Sequence, residues 1–87
     1  MRKEVGFSNR DRLIELSLTI AVLRKMRGMS QEQLAAAAKI SRSHLSAIEA
    51  PNIVRAFSVE ALYNIADALG VRAGDLLNSS LPLLDKA

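Results

Sequence analysis

The residues best suited to recognition chemistry lie in the run SRSHLSAIE, at positions 41–49. At about 100° per residue on a helix, Leu45 and Ile48 share one side. The opposite side carries Arg42, Ser43, Ser46 and Ala47. The planar guanidinium of Arg42 matches the O6 and N7 acceptors of guanine, serine hydroxyls bond bases or phosphates, and an alanine methyl suits the thymine methyl. The run therefore predicts a small polar surface able to enter a DNA major groove.

Candidate phosphate contacts surround this surface. Gln31 lies at the predicted start of the preceding helix, where free amides and the helix dipole attract anions. His44 falls on the flank of the predicted recognition helix, so we expect it to be partly buried or adjacent to a phosphate rather than catalytic. The full set of candidates is Arg27, Gln31, Lys39, Ser41, His44 and Arg55.

The composition argues against catalysis and against a metal or cofactor site. The chain has no cysteine and one histidine, so it lacks thiolate ligands and a histidine cluster. We find no pair of catalytic acids, no Ser/His/Asp or Cys/His set and no glycine loop that would hold phosphates. We therefore expect a protein that is not an enzyme and that needs no cofactor.

Length and charge predict one domain, residues 1–87, with a nucleic-acid partner. Residues 1–49 hold nine Lys and Arg against five Asp and Glu, a balance of +4, whereas residues 50–87 hold three against four, a balance of −1. The first half is thus the expected side toward phosphates. No uncharged stretch is long enough for a membrane span, and no signal-type segment follows the charged start, so we expect a cytoplasmic protein.

Apolar residues recur at helical spacing and β-type alternation is absent, which predicts an all-α fold with an aliphatic core. The expected helices run from a cap at Ser8 or Asn9 to Arg27, from Ser30 to Ala38, from Ser41 to Glu49, from Ser58 to Gly70, and from Ala73 to Leu77. Ser30 and Gln33 form a capping box, and glycines 28 and 70 supply stops.

The chain breaks between the second and third predicted helices at Lys39 and Ile40. Ser41 is a good N-cap, Ile40 before it can pack on Leu45, and further serines would weaken a continuous helix. Two short helices joined by a three- or four-residue turn form a helix-turn-helix. The alanines at 35–38 are small enough to let these helices approach closely.

The first predicted helix is apolar on two sides. One stripe is Leu13, Leu16, Ile20 and Leu23, and the other is Ile14, Leu18, Val22 and Met26. A helix that is apolar nearly all round is usually buried on both sides. Either the tail with Leu81, Leu83 and Leu84 or a second subunit covers the second stripe. We favour a homodimer, since two recognition helices at half-sites about 34 Å apart bind better than one.

The runs LRKMRGMSQEQLAAAAKISRSHLSAIE and FSVEALYNIADALGVRAGDLL resemble the phage lambda repressor and Cro type of helix-turn-helix DNA-binding protein, the xenobiotic response element family. The resemblance covers about residues 19–77 and leaves an apolar tail, 78–87. It implies a five-helix lambda-repressor-like domain with base-reading positions Arg42, Ser43, Ser46 and Ala47. It also implies a structural ion pair between Arg24 and Glu49, and a rival dimer contact from Val71 to Leu77.

The sequence departs from the family pattern at three places. Lys39 stands where glycine is usual, and a left-handed backbone there costs roughly 1 kcal/mol. Ala50 and Pro51 replace the usual Arg-Gly in a loop about two residues longer. Thr19 and Ala21 occupy positions of the first helix that are commonly basic.

These features predict a sequence-specific transcriptional regulator that binds a near-palindromic double-stranded operator as a homodimer. Within that class we expect a phage-type repressor or a restriction-modification controller protein. The alternative is an antitoxin that binds a toxin and autoregulates its operon. The expected dimer residues are Ile14, Leu18, Val22, Val71, Leu77, Leu81 and Leu84.

Overall fold

The computed structural model describes residues 7–50 and 57–79, and this part of the chain consists of helices and short connections without a strand. The helices are α1 (Phe7–Met26), α2 (Gln31–Ala38), α3 (Arg42–Glu49), α4 (Val59–Leu69) and α5 (Ala73–Ser79). The expected all-α fold is confirmed. No helix within these ranges is long and apolar enough to cross a membrane.

Serine side chains start the three middle helices. Ser30, Ser41 and Ser58 each accept a hydrogen bond at 3.0 Å from the amide three residues ahead, as N-caps do. The Gln33 side chain returns a bond to the Ser30 amide at 2.8 Å, which completes the capping box. These caps fix where α2, α3 and α4 begin, and all three agree with the sequence prediction.

The expected cap of the first helix is wrong. The residues proposed for it, Ser8 and Asn9, lie inside α1, which already includes Phe7. Serine and asparagine cost only about 0.7 kcal/mol or less in a helix relative to alanine, so a local capping preference does not force a start there. At the other end of the chain, α5 runs two residues beyond the expected Leu77.

Three helices end with the same backbone motif. In each, a residue with positive φ follows the helix: Gly28 at 71°, Lys39 at 61° and Gly70 at 77°. The next amide then bonds the carbonyl five residues back, at 3.0–3.1 Å, the pattern of a Schellman cap. Lys39 thus adopts, with a side chain, the left-handed conformation that glycine adopts in the other two.

The core is aliphatic and receives side chains from all five helices. Helix α2 packs against α3 and α4, while α1 packs against α3 and α5. Of the four successive alanines in α2, Ala35 and Ala38 are buried and the other two are exposed. The fully buried large apolar side chains are Ile20, Leu34, Leu45, Ile65, Leu69 and Leu76.

A short hydrogen-bonded turn starts α5. The carboxylate of Asp75 accepts the Arg72 amide at 3.1 Å and lies 3.5 Å from the Arg72 guanidinium. The backbone bond first, and then the guanidinium, hold the pKa of Asp75 below its ordinary value of 3.8. The fixed start of α5 orients the helix so that Leu76 points into the core and Leu77 lies at the surface.

The two apolar stripes of α1 differ in burial. Leu16, Ile20 and Leu23 are buried, as expected for the core stripe. On the second stripe Ile14, Leu18 and Val22 are already half-buried within the single chain, which leaves less area for a partner than the sequence indicated. The tail leucines at 81, 83 and 84 lie outside the described residues.

Candidate nucleic-acid interface

Helix α3 is held from its inner side by a buried ion pair at its last residue. The Arg24 guanidinium donates from Nε to one Glu49 oxygen at 2.8 Å and from Nη2 to the other at 3.1 Å. The two side chains are 10% and 5% exposed. A two-point bond between a planar fork and a carboxylate restricts rotation as well as distance, so α1 fixes the orientation of α3.

Two further bonds extend this pair into a network. Arg24 also donates from Nη1 to the Met29 carbonyl at 2.8 Å, in the turn between α1 and α2. Gln31, the first residue of α2, donates from Nε2 to Glu49 at 3.0 Å. Hereafter we call Arg24, Gln31 and Glu49 the seating network, because it joins α1, α2 and α3.

The bond from Gln31 to Glu49 was missed by sequence reasoning, which considered Gln31 only as a phosphate contact. The two residues are separated by eighteen positions, so no local pattern reports the bond. One amide hydrogen and the amide oxygen of Gln31 take no part in it. The phosphate contact therefore stays a prediction, now for a side chain whose direction is set by Glu49.

The outer side of α3 presents the four predicted base-reading residues together. Arg42 and Ser43 are exposed, Ser46 and Ala47 are half-buried, and Leu45 and Ile48 on the inner side are buried. Because the inner side is packed and its end is fixed by Glu49, the outer side is a defined surface. Hereafter it is called the reading face.

Three of the predicted phosphate contacts lie at the turn or in the first turn of α3. Lys39, Ser41 and His44 are all exposed. The Ser41 oxygen accepts the His44 amide as a cap, while its own hydroxyl hydrogen remains a donor. Of the two surroundings expected for His44, partial burial is excluded, since the side chain is exposed, and the phosphate contact stays a prediction.

Arg27 has a contact that the sequence did not predict. Its Nε donates to the Leu69 carbonyl at 2.9 Å, although 42 positions separate the two residues. A cation near the last carbonyls of α4 also interacts favourably with the helix dipole. The contact gives Arg27 a structural role between the end of α1 and the end of α4. The other loop arginine, Arg55, lies outside the described residues.

A second ion pair connects the reading face to α2. Arg42 Nε lies 3.7 Å from Glu32 Oε2, with the side chains 59% and 73% exposed. The Arg42 side chain makes no hydrogen bond to another residue within the described ranges. Within the described ranges, no three His, Asp or Glu side chains lie together in a way that could hold a metal ion.

Comparisons with known proteins agree with this geometry. A model of the helix-turn-helix family matches residues 20–76, which include the reading face and the seating network. None of the curated proteins compared with the chain matches it significantly.

Several solved structures are similar to the chain. The restriction-modification controller protein C.AhdI from Aeromonas hydrophila has a TM-score of 0.68 at 28% identity, over 74% of this chain and 94% of that one. The controller protein C.Esp1396I has a TM-score of 0.70 at 26% identity, over 87% and 96%. The clp gene regulator ClgR from C. glutamicum has a TM-score of 0.65 at 29% identity, over 76% and 82%. The chain belongs to the Cro-type helix-turn-helix family of DNA-binding regulators.

Proposed function

We propose that the protein is a transcriptional regulator that binds a specific double-stranded DNA sequence, with α3 in the major groove. The observation that carries the proposal is the reading face, where an arginine and two serines project from a helix whose opposite side is buried. A helix fits the major groove, and an arginine fork there distinguishes guanine from the other bases. We further propose that the protein acts in the cytoplasm and catalyses no reaction.

Phosphate contacts place such a helix without specifying sequence. The start of α2 offers its free amides and Gln31, and the start of α3 offers Ser41 and His44. Lys39 adds a cation at the turn between them. These groups lie on α2, on the turn and on the first turn of α3, which Arg42 begins, so we propose that they fix the register in which Arg42 meets a base.

We propose a homodimer on a near-palindromic operator, since one eight-residue recognition helix contacts few bases. The exposed large apolar side chains of α4 and α5 support it: Val59, Tyr63 and Leu77 are 65%, 56% and 58% exposed. Val59 and Leu77 also line an apolar groove of about 180 Å³. Of the described residues expected at the dimer contact, Leu77 is the most exposed, whereas Val71 is half-buried against the core.

Two of the similar structures are restriction-modification controller proteins, and we propose that regulatory role in preference to a phage-type repressor. The exposed apolar side chains suit a toxin as well as a second copy, and this keeps the antitoxin as the second candidate. Sedimentation of the purified protein separates the two: a homodimer has twice the 9.5 kDa chain mass without any partner. A lone chain at micromolar concentration would contradict the dimer.

The central test is selection of bound duplexes from a random DNA pool, with Arg42→Ala as the test variant. We expect the wild type to enrich one near-palindromic sequence, and the variant to lose about 1–3 kcal/mol of preference at one base pair of each half-site. Arg10→Ala is the matched control, because Arg10 is exposed near the start of α1 and its removal changes the net charge equally. Enrichment of nothing by the wild type would contradict the proposed function, and an unchanged preference in Arg42→Ala would contradict the role of Arg42.

A further inference from the structure

The turn between α2 and α3 brings one acidic side chain against the proposed base reader. Glu32 is the second residue of α2 and Arg42 the first residue of α3, and the caps Ser30 and Ser41 fix both helix starts. The 3.7 Å between Arg42 Nε and Glu32 Oε2 exceeds the usual length of a hydrogen bond. The carboxylate therefore attracts the guanidinium without occupying its donors.

We propose that Glu32 is a positioning residue for Arg42, and that it determines how strongly the protein discriminates its operator from other DNA. The proposal rests on the proposed function. It concerns a residue with no assigned role in DNA binding, and it makes an acidic side chain on a DNA-binding surface favourable for specificity although it is unfavourable for affinity.

The direction of the pair gives the first reason. Glu32 approaches the guanidinium at Nε, which is not part of the end-on edge formed by the terminal nitrogens Nη1 and Nη2. Two terminal donors suit the two guanine acceptors O6 and N7. A long arginine side chain loses rotamer freedom when it binds, and a nearby opposite charge that already narrows its directions reduces this loss.

The charge of Glu32 gives the second reason. On non-operator DNA the simplest use of Arg42 is a contact with a phosphate, and such a contact would bring the phosphate close to the Glu32 carboxylate. At such a short distance the negative phosphate and the negative carboxylate repel each other, whereas the polar edge of a base carries no net charge. Glu32 therefore disfavours the non-specific use of Arg42 more than the specific one.

The test compares Glu32→Gln with the wild type by measuring dissociation constants for the selected operator and for a scrambled duplex at one salt concentration. The specificity ratio is the dissociation constant for the scrambled duplex divided by that for the operator. We expect this ratio to fall about twofold to fivefold, which corresponds to the strength of an exposed ion pair, mainly because binding to the scrambled duplex strengthens. Glutamine keeps the size of the side chain and removes only the charge.

Glu60→Gln is the matched control. Glu60 is likewise the second residue of a serine-capped helix, α4, and is exposed, so its replacement changes net charge and helix-dipole interaction equally. If a missing negative charge acts only through overall attraction to DNA, both variants strengthen binding to both duplexes and neither changes the ratio. An unchanged ratio in Glu32→Gln would overturn the proposal while leaving the proposed function intact.

The Arg42→Ala background identifies the route of the effect. If Glu32 acts through Arg42, then adding Glu32→Gln to Arg42→Ala leaves the ratio unchanged. A further fall of the ratio in the double variant would overturn the positioning role and indicate a direct contact of Glu32 with a base, such as the N4 amino group of cytosine. A wild type that prefers no duplex at all would overturn both this inference and the proposed function.

Discussion

Among the described residues, two Arg–Glu pairs involve α3, one at each end of the helix. At the last residue, Glu49 meets Arg24 at 2.8 Å in a buried, two-point contact. At the first residue, Arg42 meets Glu32 at 3.7 Å in solvent. In the inner pair, Glu49 also accepts a hydrogen bond from Gln31, and Arg24 also donates one to the Met29 carbonyl. The side chains of the outer pair form no hydrogen bond to a third group in the described ranges.

The difference shows how the same two residue types serve opposite purposes. Breaking the inner pair is strongly unfavourable, because either buried charge left alone would lack both water and an opposite charge. Exposure makes the outer pair weak and easily rearranged, so the exchange of Glu32 for a base that we propose for Arg42 would need little free energy. The inner pair fixes the helix, and the outer pair favours certain directions of the Arg42 side chain without locking it.

The inner pair should produce the largest effect when broken. Arg24→Met strands the Glu49 carboxylate, and we expect a loss of about 3–5 kcal/mol in the free energy of unfolding, measured by urea denaturation. The double variant Arg24→Met/Glu49→Leu should recover most of this loss, since it removes the buried charge. Arg12→Met, at an exposed position of α1, should change stability little. An equally small loss in Arg24→Met would show that the seating network does not stabilise the fold.

A substitution in the turn between α2 and α3 should change the free energy of unfolding less, and in the opposite direction. Lys39→Gly relieves the left-handed backbone at a small cost in chain entropy, and we expect a net gain of about 0.5–1 kcal/mol in unfolding free energy. Gly70→Ala is the converse change in the same motif, where an added Cβ meets nothing within 4 Å, and it should lose about 1 kcal/mol. Unchanged stability in Lys39→Gly would remove the proposed strain.

The outer pair should contribute least to stability. Arg42→Ala and Glu32→Gln should each change the unfolding free energy by about 0.5 kcal/mol or less, because both side chains are largely solvated. Urea denaturation measures these changes in unfolding free energy, together with those of the inner-pair variants. A loss above about 2 kcal/mol from either substitution would mean that the reading face also holds the fold together, and the contrast between the two pairs would fail.

The sequence predicted the parts of the structure that depend on near neighbours. The capping box at Ser30 and the cap at Ser41 follow from residues within five positions, and the structure contains both. The left-handed backbone at Lys39 was considered only because the resembling family usually has glycine there, and the structure contains it. Family resemblance added the partner of Arg24, which no local pattern indicates.

The parts that the sequence did not predict involve long side chains and distant partners. The contacts from Gln31 to Glu49 and from Arg27 to the Leu69 carbonyl depend on where packed helices place flexible groups. The pair of Glu32 with Arg42 depends on the angle between α2 and α3. The periodicity of the second stripe of α1 reports apolarity but not how much the same chain covers it, and the structure has Ile14, Leu18 and Val22 half-buried.

The separation of the inner and outer sides of α3 has a practical consequence for engineering. None of the four residues of the reading face contributes to the core or the seating network. Leu45 and Ile48 attach the helix to the core, and Glu49 attaches it to α1. A library randomised at positions 42, 43, 46 and 47 should therefore keep a folded scaffold in most members. Under the proposed function, members of such a library should bind new operators without redesign of the framework that carries the four side chains.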